Sequence, residues 1–324
     1  MGREQGAAAY VACVPHVPLL SMQPRDENTD LWSAYEARIR EFEAFDPELV
    51  IAFGADHYSN IHLKLAPSFL IGHAATAIND CGGMPGELDV PMALSETLAR
   101  NLIDNEFDVA VSYDMSVDHG FSNVLSFFLR GKLDARPVIP VHINALTEPR
   151  PTLRRCRRLG EAVGLWARTL GKRVAFIGSG GLSHETSGIF PQYHTASTPE
   201  LQDYIVHGEG TALSHDWHEN IRILMEKVSA CLSSGEKLST TVRADWDRKF
   251  LDQLSSGPLE AFDGWTDEDI IPLGGTGAGE SRMWIAAVAA GKAAGVGEVH
   301  VDYYSPSTTV GVGAGVVHAP AMAG

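Results

Sequence analysis

The sequence predicts an α/β fold in which a central, mostly parallel or mixed sheet is flanked by helices. Short runs rich in Val and Ile recur without polar–apolar alternation, the pattern of strands buried on both faces. Between them lie segments with apolar residues every three or four positions, as helices laying one face on a sheet require. Strands alternating with helices are the signature of this class.

The first run covers residues 9–14, and Leu31, Tyr35, Ile39 and Phe42 then mark one face of a helix over 30–45. Runs at 49–53, 109–113, 137–143 and 174–177 supply further strands, with a helix over 152–170 carrying Leu153, Leu159, Val163 and Trp166. Residues 186–215 are polar and turn-rich and are expected to form an insertion or lid loop, followed by helices over 216–262. The apolar stretch SRMWIAAVAAGKAA predicts a helix over 281–294, and the end of the chain predicts two strands around a Ser305-Pro306-Ser307 turn. Repeats and long linkers are not visible. The expectation is a single domain over 1–324 with a loop and helical excursion around 186–262.

With 324 residues, 44% of them hydrophobic, the chain can bury a large core. A formal charge of -16 argues against a nucleic-acid partner, because phosphate binding needs a basic face. Cys13, Cys81, Cys156 and Cys231 form no C-x-x-C pair and are too sparse for a disulfide framework, so they are expected to be buried reduced thiols. Neither a signal-peptide pattern nor an apolar run of the ~18 residues a membrane span needs is visible. A cytoplasmic protein without a membrane partner is expected.

The polar residues follow the strands. Run 9–14 is followed by His16, run 49–53 by Asp56 and His57, run 109–113 by Asp118 and His119, and run 174–177 by GSGGLSH ending at His184. Ligands bind at the carboxyl edge of open α/β sheets. A single loop histidine is usually only solvated, but four at one edge point to a site. His62, His73, His194, His207, His215, His218, His300 and His318 draw the ordinary structural reading, and His142, at the end of another strand, is the one expected to lie behind the site.

Two histidines with one carboxylate and open positions suit non-haem Fe(II). Either Asp56 or Glu280 could supply the carboxylate. GGTGAGES places Gly274 and Gly279 at Walker A spacing, but Glu280 stands where the phosphate-binding lysine belongs, and its charge excludes nucleotide phosphate there. Glu280 could also simply stabilise a helix start. IGSGG around Ser179 lacks the first glycine of the G-x-S-x-G nucleophile elbow, and neither H-E-x-x-H nor Cys/His zinc spacing occurs.

The stretches CVPHVPLL, FDPELVIAFGADHY, HAATAINDCG, GELDVP, AVSYDMSVDHGF, PVIPVHIN, RVAFIGSGGLSH and GESRMWIAA span most of the chain. Through them the sequence resembles the class III extradiol ring-cleaving dioxygenases; SVDHGF and GSGGLSH are the specific stretches, and residues 186–260 match less clearly. The resemblance implies a single catalytic domain holding Fe(II) through His16, His57 and Glu280, with His119 and His184 as the acid/base pair. His184 is assigned as the base for a substrate hydroxyl and His119 as the acid, and Asp118 as a residue that orients a histidine. The implied partners are a 3-substituted catechol and O₂, and the product a muconic semialdehyde in aromatic catabolism. The family commonly assembles, so a homo-oligomer is expected. An anionic ring substituent would call for a cation such as Arg243, Arg248 or Lys249. Family members often carry a histidine before the ligand glutamate, whereas this chain has Gly279. Alternatives are an aminophenol or protocatechuate-type dioxygenase of the same fold, a zinc hydrolase, or a non-catalytic metal-binding protein.

Overall fold

The computed structural model describes residues 8–22, 28–234, 242–306 and 311–322. Its strands are β1 (Ala8–Val14), β2 (Leu49–Gly54), β3 (Phe69–Gly72), β4 (Ala75–Ala77), β5 (Gly86–Glu87), β6 (Ala110–Ser112), β7 (Met115–Val117), β8 (Val138–Ile143), β9 (Arg173–Ser179), β10 (His300–Ser305) and β11 (Ala314–Ala319). Its helices are α1 (Pro18–Met22), α2 (Thr29–Phe45), α3 (Met92–Asp104), α4 (His119–Phe128), α5 (Leu153–Arg168), α6 (Pro199–His207), α7 (Trp217–Ser233), α8 (Ala244–Ser256), α9 (Asp267–Gly274) and α10 (Ser281–Ala294).

The main sheet runs β10-β11-β1-β9-β2-β8-β3-β6. Its centre, β1-β9-β2-β8, is parallel, while β11 and β3 flank that centre antiparallel. This is the mixed sheet with a parallel core that the unalternating runs predict. Strands β2 and β8 are buried at every residue, because helices cover both faces. Helices α5 and α10 lie together on one face, in a core with Val11, Phe53, Ile139 and Phe176. Helix α2 packs on the other through Leu31, Tyr35, Ile39 and Phe42.

Gly160 and Gly164 on α5 meet the backbone carbonyls of Ala286 and Ala290 on α10 so closely that a Cβ at either would overlap them. Gly164→Ala must therefore push the helices apart, and overpacking of this kind costs ~1–3 kcal/mol. A lower urea midpoint at unchanged slope is the expected result.

Three expectations need correction. Run 109–113 does form a strand, β6, on the edge of the main sheet, but it is not the strand that delivers His119: β7 intervenes and belongs to a separate small sheet, β5-β4-β7. Residues 186–215 are not simply loop, since they contain α6, opened by Thr198 as N-cap and Pro199. The helices expected over 216–262 are α7, α8 and a 3-10 turn at Leu259–Gly264, with 235–241 outside the described residues. The expected Ser305-Pro306-Ser307 turn falls partly outside them too. Cys13, Cys81 and Cys156 are buried as expected, whereas Cys231 is only half-buried. Among the described residues no helix is long and apolar enough to cross a membrane.

Candidate metal centre and active site

Three neighbouring parallel strands, β1, β9 and β2, deliver His16, His184 and His57 just past their carboxyl ends. His119 reaches the same place by a different route. It follows β7 of the small sheet and opens α4, whose N-cap Asp118 accepts from the Gly120 N–H. Glu280 comes from the junction that opens α10. His16, His57, His119 and Glu280 are buried, and all five residues line one cavity.

His16 Nε2 lies 3.3 Å and His57 Nε2 3.4 Å from the same atom, Glu280 Oε1. The other nitrogen of each ring is already occupied. Ser179 Oγ donates to the Gly120 carbonyl at 2.5 Å, so it accepts from His16 Nδ1 at 3.0 Å. His57 Nδ1 donates to Asp118 Oδ2 at 3.1 Å, and the His57 backbone N–H meets the same oxygen at 2.7 Å. Glu280 Oε2 accepts from the Gly181 N–H at 2.5 Å. Both Nε2 atoms and Oε1 are thus turned toward one point, with hydrogen bonds behind them that fix ring orientation, as metal-binding imidazoles require. Burial would raise the Glu280 carboxyl, but His16 and His57 beside it hold it well below the usual carboxylate range. Burial lowers His16. Burial also pulls on His57, but Asp118 overrides it and pushes the ring up to about 9. The donor set of two imidazoles and one carboxylate fits a divalent transition metal.

The choice between two carboxylates that the sequence leaves open is decided by geometry. Asp56 turns back into its own loop, where Oδ1 accepts from the Ser59 and Ile61 N–H groups at 3.1 Å and Oδ2 from that of Asn60 at 3.0 Å. Glu280 is the carboxylate that meets the histidines. Ser179, whose motif fails as a nucleophile elbow, instead orients His16.

His119 stacks on His57 with ring centres 4.3 Å apart. Its Nδ1 and backbone N–H donate to Asp80 Oδ2 at 2.5 and 2.9 Å, and Cys81 Sγ lies 3.5 Å from the same ring nitrogen. Burial alone would lower this ring, yet Cys81, Asp80 and Asp118 hold it well above the ordinary histidine value. Ligand atoms of His16, His57 and His119 lie within 4.8 Å of one another, as do those of Asp80, Cys81 and His119. His119 is committed to Asp80 by both hydrogen bonds.

His184 is half-buried, and its Nδ1 donates to the Leu182 carbonyl at 2.9 Å. A carbonyl can only accept, so a hydrogen sits on Nδ1, and in the neutral ring the lone pair is then on Nε2. Gly277 makes the slot for this ring, since a Cβ there would fall on it. At Gly279 a Cβ would lie 2.5 Å from the Ala145 carbonyl oxygen. This backbone therefore has no room for a side chain at the position before the glutamate. His142 is buried beside this group and pushed down to about 3 by burial.

The cavity measures about 190 Å³; apolar cavities of ~150 Å³ accept a benzene ring. Its roof is the excursion. Ile221, Met225 and Val228 on α7, together with Ile189 and Phe190, line the cavity with the histidines, and Val17, Leu19 and Val312 pack beside α7 to complete the apolar lining. Tyr204 stacks on Trp217 at 4.3 Å, and its hydroxyl donates to the Tyr58 carbonyl at 2.9 Å. The roof is thereby tied to the loop that carries His57. None of the three cations named from the sequence lines the cavity: Arg243 gives its backbone N–H to Ser183 Oγ, Arg248 lies over Tyr304 and Lys249 over Trp265.

Residues 10–317 match the family model described as the catalytic LigB subunit of aromatic ring-opening dioxygenase. Three curated relatives bear the name 2,3-dihydroxyphenylpropionate/2,3-dihydroxicinnamic acid 1,2-dioxygenase. The one from Mycolicibacterium paratuberculosis is 38% identical over 93% of this chain and 95% of its own. The one from Mycolicibacterium gilvum is 41% identical over 86% and 88%. The one from Azotobacter vinelandii is 35% identical over 95% and 97%.

Proposed function

The chain belongs to the family of catalytic LigB subunits of aromatic ring-opening dioxygenases, and from that membership we propose that it cleaves a 3-substituted catechol with O₂ beside the hydroxyl pair. The product is a muconic semialdehyde, and the substrate resembles the 2,3-dihydroxyphenylpropionate of its relatives' names. The observation that carries this reading is the convergence of His16 Nε2 and His57 Nε2 on Glu280 Oε1 in a cavity that two further histidines also line. In this reading His16, His57 and Glu280 hold Fe(II). Bound there, Fe(II) supplies open positions for both catechol oxygens and O₂ and a path for electrons between them.

The chain's own groups supply the proton chemistry. His184, with its lone pair on Nε2, takes a proton from one catechol hydroxyl. His119, kept cationic by Asp80, gives a proton to the oxygen that departs when the ring opens. One histidine is thus set as base and the other as acid by their partners, a carbonyl in one case and a carboxylate in the other. The apolar roof excludes water and holds the ring flat against the histidines. A zinc hydrolase or a passive metal binder would need no such oppositely set pair.

The test is anaerobic Fe(II) loading followed by an O₂-dependent screen of substituted catechols. A yellow ring-fission product with matching O₂ uptake is expected. Ester hydrolysis by the zinc-loaded protein without O₂ uptake would overturn the reading, and a preference for aminophenols or protocatechuate would move the substrate within the same fold. Metal loading should also depend on pH. In the metal-free protein His57 titrates at about 9, so near neutrality it carries a proton that metal must displace, while the lowered His16 carries none. Apparent affinity should rise about tenfold per pH unit between about pH 6 and about pH 8, measured by competition with a chelator dye.

A further inference from the structure

Asp247 lies on the first turn of α8 and is fully buried, outside the cavity lining. It receives three donors: the Ser183 N–H on Oδ1 at 2.8 Å, and the Ser183 and Tyr304 hydroxyls on Oδ2 at 2.9 and 2.8 Å. An N–H on Oδ1 and two hydroxyls on Oδ2 are the set a buried carboxylate needs, and they work against the burial that pushes this carboxyl up. The Ser183 N–H belongs to the same peptide unit as the Leu182 carbonyl, and that carbonyl is the partner of His184 Nδ1.

We infer that Asp247 is a positioning residue for His184, acting through one peptide plane: carboxylate to Ser183 N–H, and Leu182 C=O to the imidazole Nδ1–H. The inference rests on the role of His184 proposed above. Two effects follow from the chain of contacts. The carboxylate fixes the plane of the peptide, and so the direction in which the carbonyl holds the ring. It also polarises that peptide, because hydrogen bonds in series strengthen one another, which favours the Nδ1–H tautomer and leaves Nε2 free. The peptides on either side are held as well, with the Leu182 N–H on the Gly313 carbonyl at 3.1 Å and the Gly313 N–H on the Ser183 carbonyl at 2.9 Å. His119 has its carboxylate directly on the ring, and His184 has one relayed by a peptide.

The experiment compares Asp247→Ala and Asp247→Asn with the wild type by nitrogen NMR of histidine-labelled, metal-free protein, the His184 signals being assigned by their loss in His184→Phe. The wild type should show His184 locked with hydrogen on Nδ1. Asp247→Ala should average the two tautomers. Asp247→Asn, which keeps an oxygen acceptor without the charge, should restore the lock in part. In the iron-loaded protein, kcat should fall about 10- to 100-fold for Asp247→Ala and less for Asp247→Asn, with iron content retained, and the anaerobic catechol-anion absorbance should weaken in the same order. Unchanged His184 signals in both variants would overturn the inference, as would loss of kcat with an undiminished anion. If Asp247→Ala does not fold, Asp247→Asn decides alone through its His184 signals. If the wild type forms neither anion nor product, the proposed function fails, while the NMR comparison still decides the relay.

Discussion

Glu280→Gln should lose most of its bound metal while remaining folded, and with the metal its ring-cleaving activity. The substitution changes little in shape. The amide oxygen can still accept from the Gly181 N–H that now anchors Oε2, leaving the NH₂ group to face His16 Nε2 and His57 Nε2. Those atoms lie 3.3 and 3.4 Å from Oε1, so an oxygen ligand is replaced by donors pointing where a cation should sit, and the only negative charge among the proposed ligands is gone. Losing a group that merely orients a ligand costs ~10–100-fold in metal affinity, and losing a ligand should exceed that. Iron content by elemental analysis, beside a thermal melt close to wild type, measures the outcome. A full complement of iron would reduce Glu280 to an acid at a helix start.

His119→Phe and His184→Phe should keep iron and each lose ring cleavage by ~10²–10⁴-fold, the range general acid–base groups contribute. The two losses should differ in kind. Without His184 the catechol proton has no acceptor, so anaerobic substrate should give a weaker anion spectrum. Without His119 the anion should form normally, but product should fail to appear. His119→Phe also strips Asp80 of the ring N–H that it accepts at 2.5 Å. Asp80 keeps the backbone N–H of residue 119 but loses its ionic partner, and removing one partner of a buried pair costs ~3–5 kcal/mol, so this variant should be less stable as well. His119→Asn retains an N–H for Asp80 without an ionisable ring, and separates the lost acid from the lost stability. Near wild-type turnover in both phenylalanine variants would defeat the proposed proton chemistry even with the iron in place.

How far these residues were legible depended on what each needed from the rest of the chain. The parallel core was readable because β1, β2, β8 and β9 are buried on both faces, and burial on both faces writes an unbroken apolar run. Helix α10 was readable to its last residue for the same reason. Strands β3, β4 and β7 were not, since elements of three or four residues are too short to display a period. The step from run 109–113 straight to His119 therefore passes over β7 and its change of sheet. Helix α3 left a signal that could have been followed, with Ser95, Leu98, Ala99 and Leu102 on its buried face.

Within the site, the sequence by itself determined which residue types stand past which strand ends: His16, His57 and His184 beside parallel strands, His119 after a short polar turn, Glu280 before an apolar helix. Tertiary structure alone decided what those side chains can do. Glu280 rather than Asp56 meets the imidazoles because α10 is seated beside β9. Ser179 orients His16 from 163 residues away, Asp80 accepts from the His119 ring from 39 residues before it, and Asp247 lies 64 residues beyond Ser183. The physical reason is that a ring's tautomer and charge are set by whichever donor or acceptor faces its second nitrogen. For His16, His57 and His119 that partner is brought up by folding, and for His184 folding brings up the carboxylate behind the neighbouring peptide, where local spacing carries no trace of it.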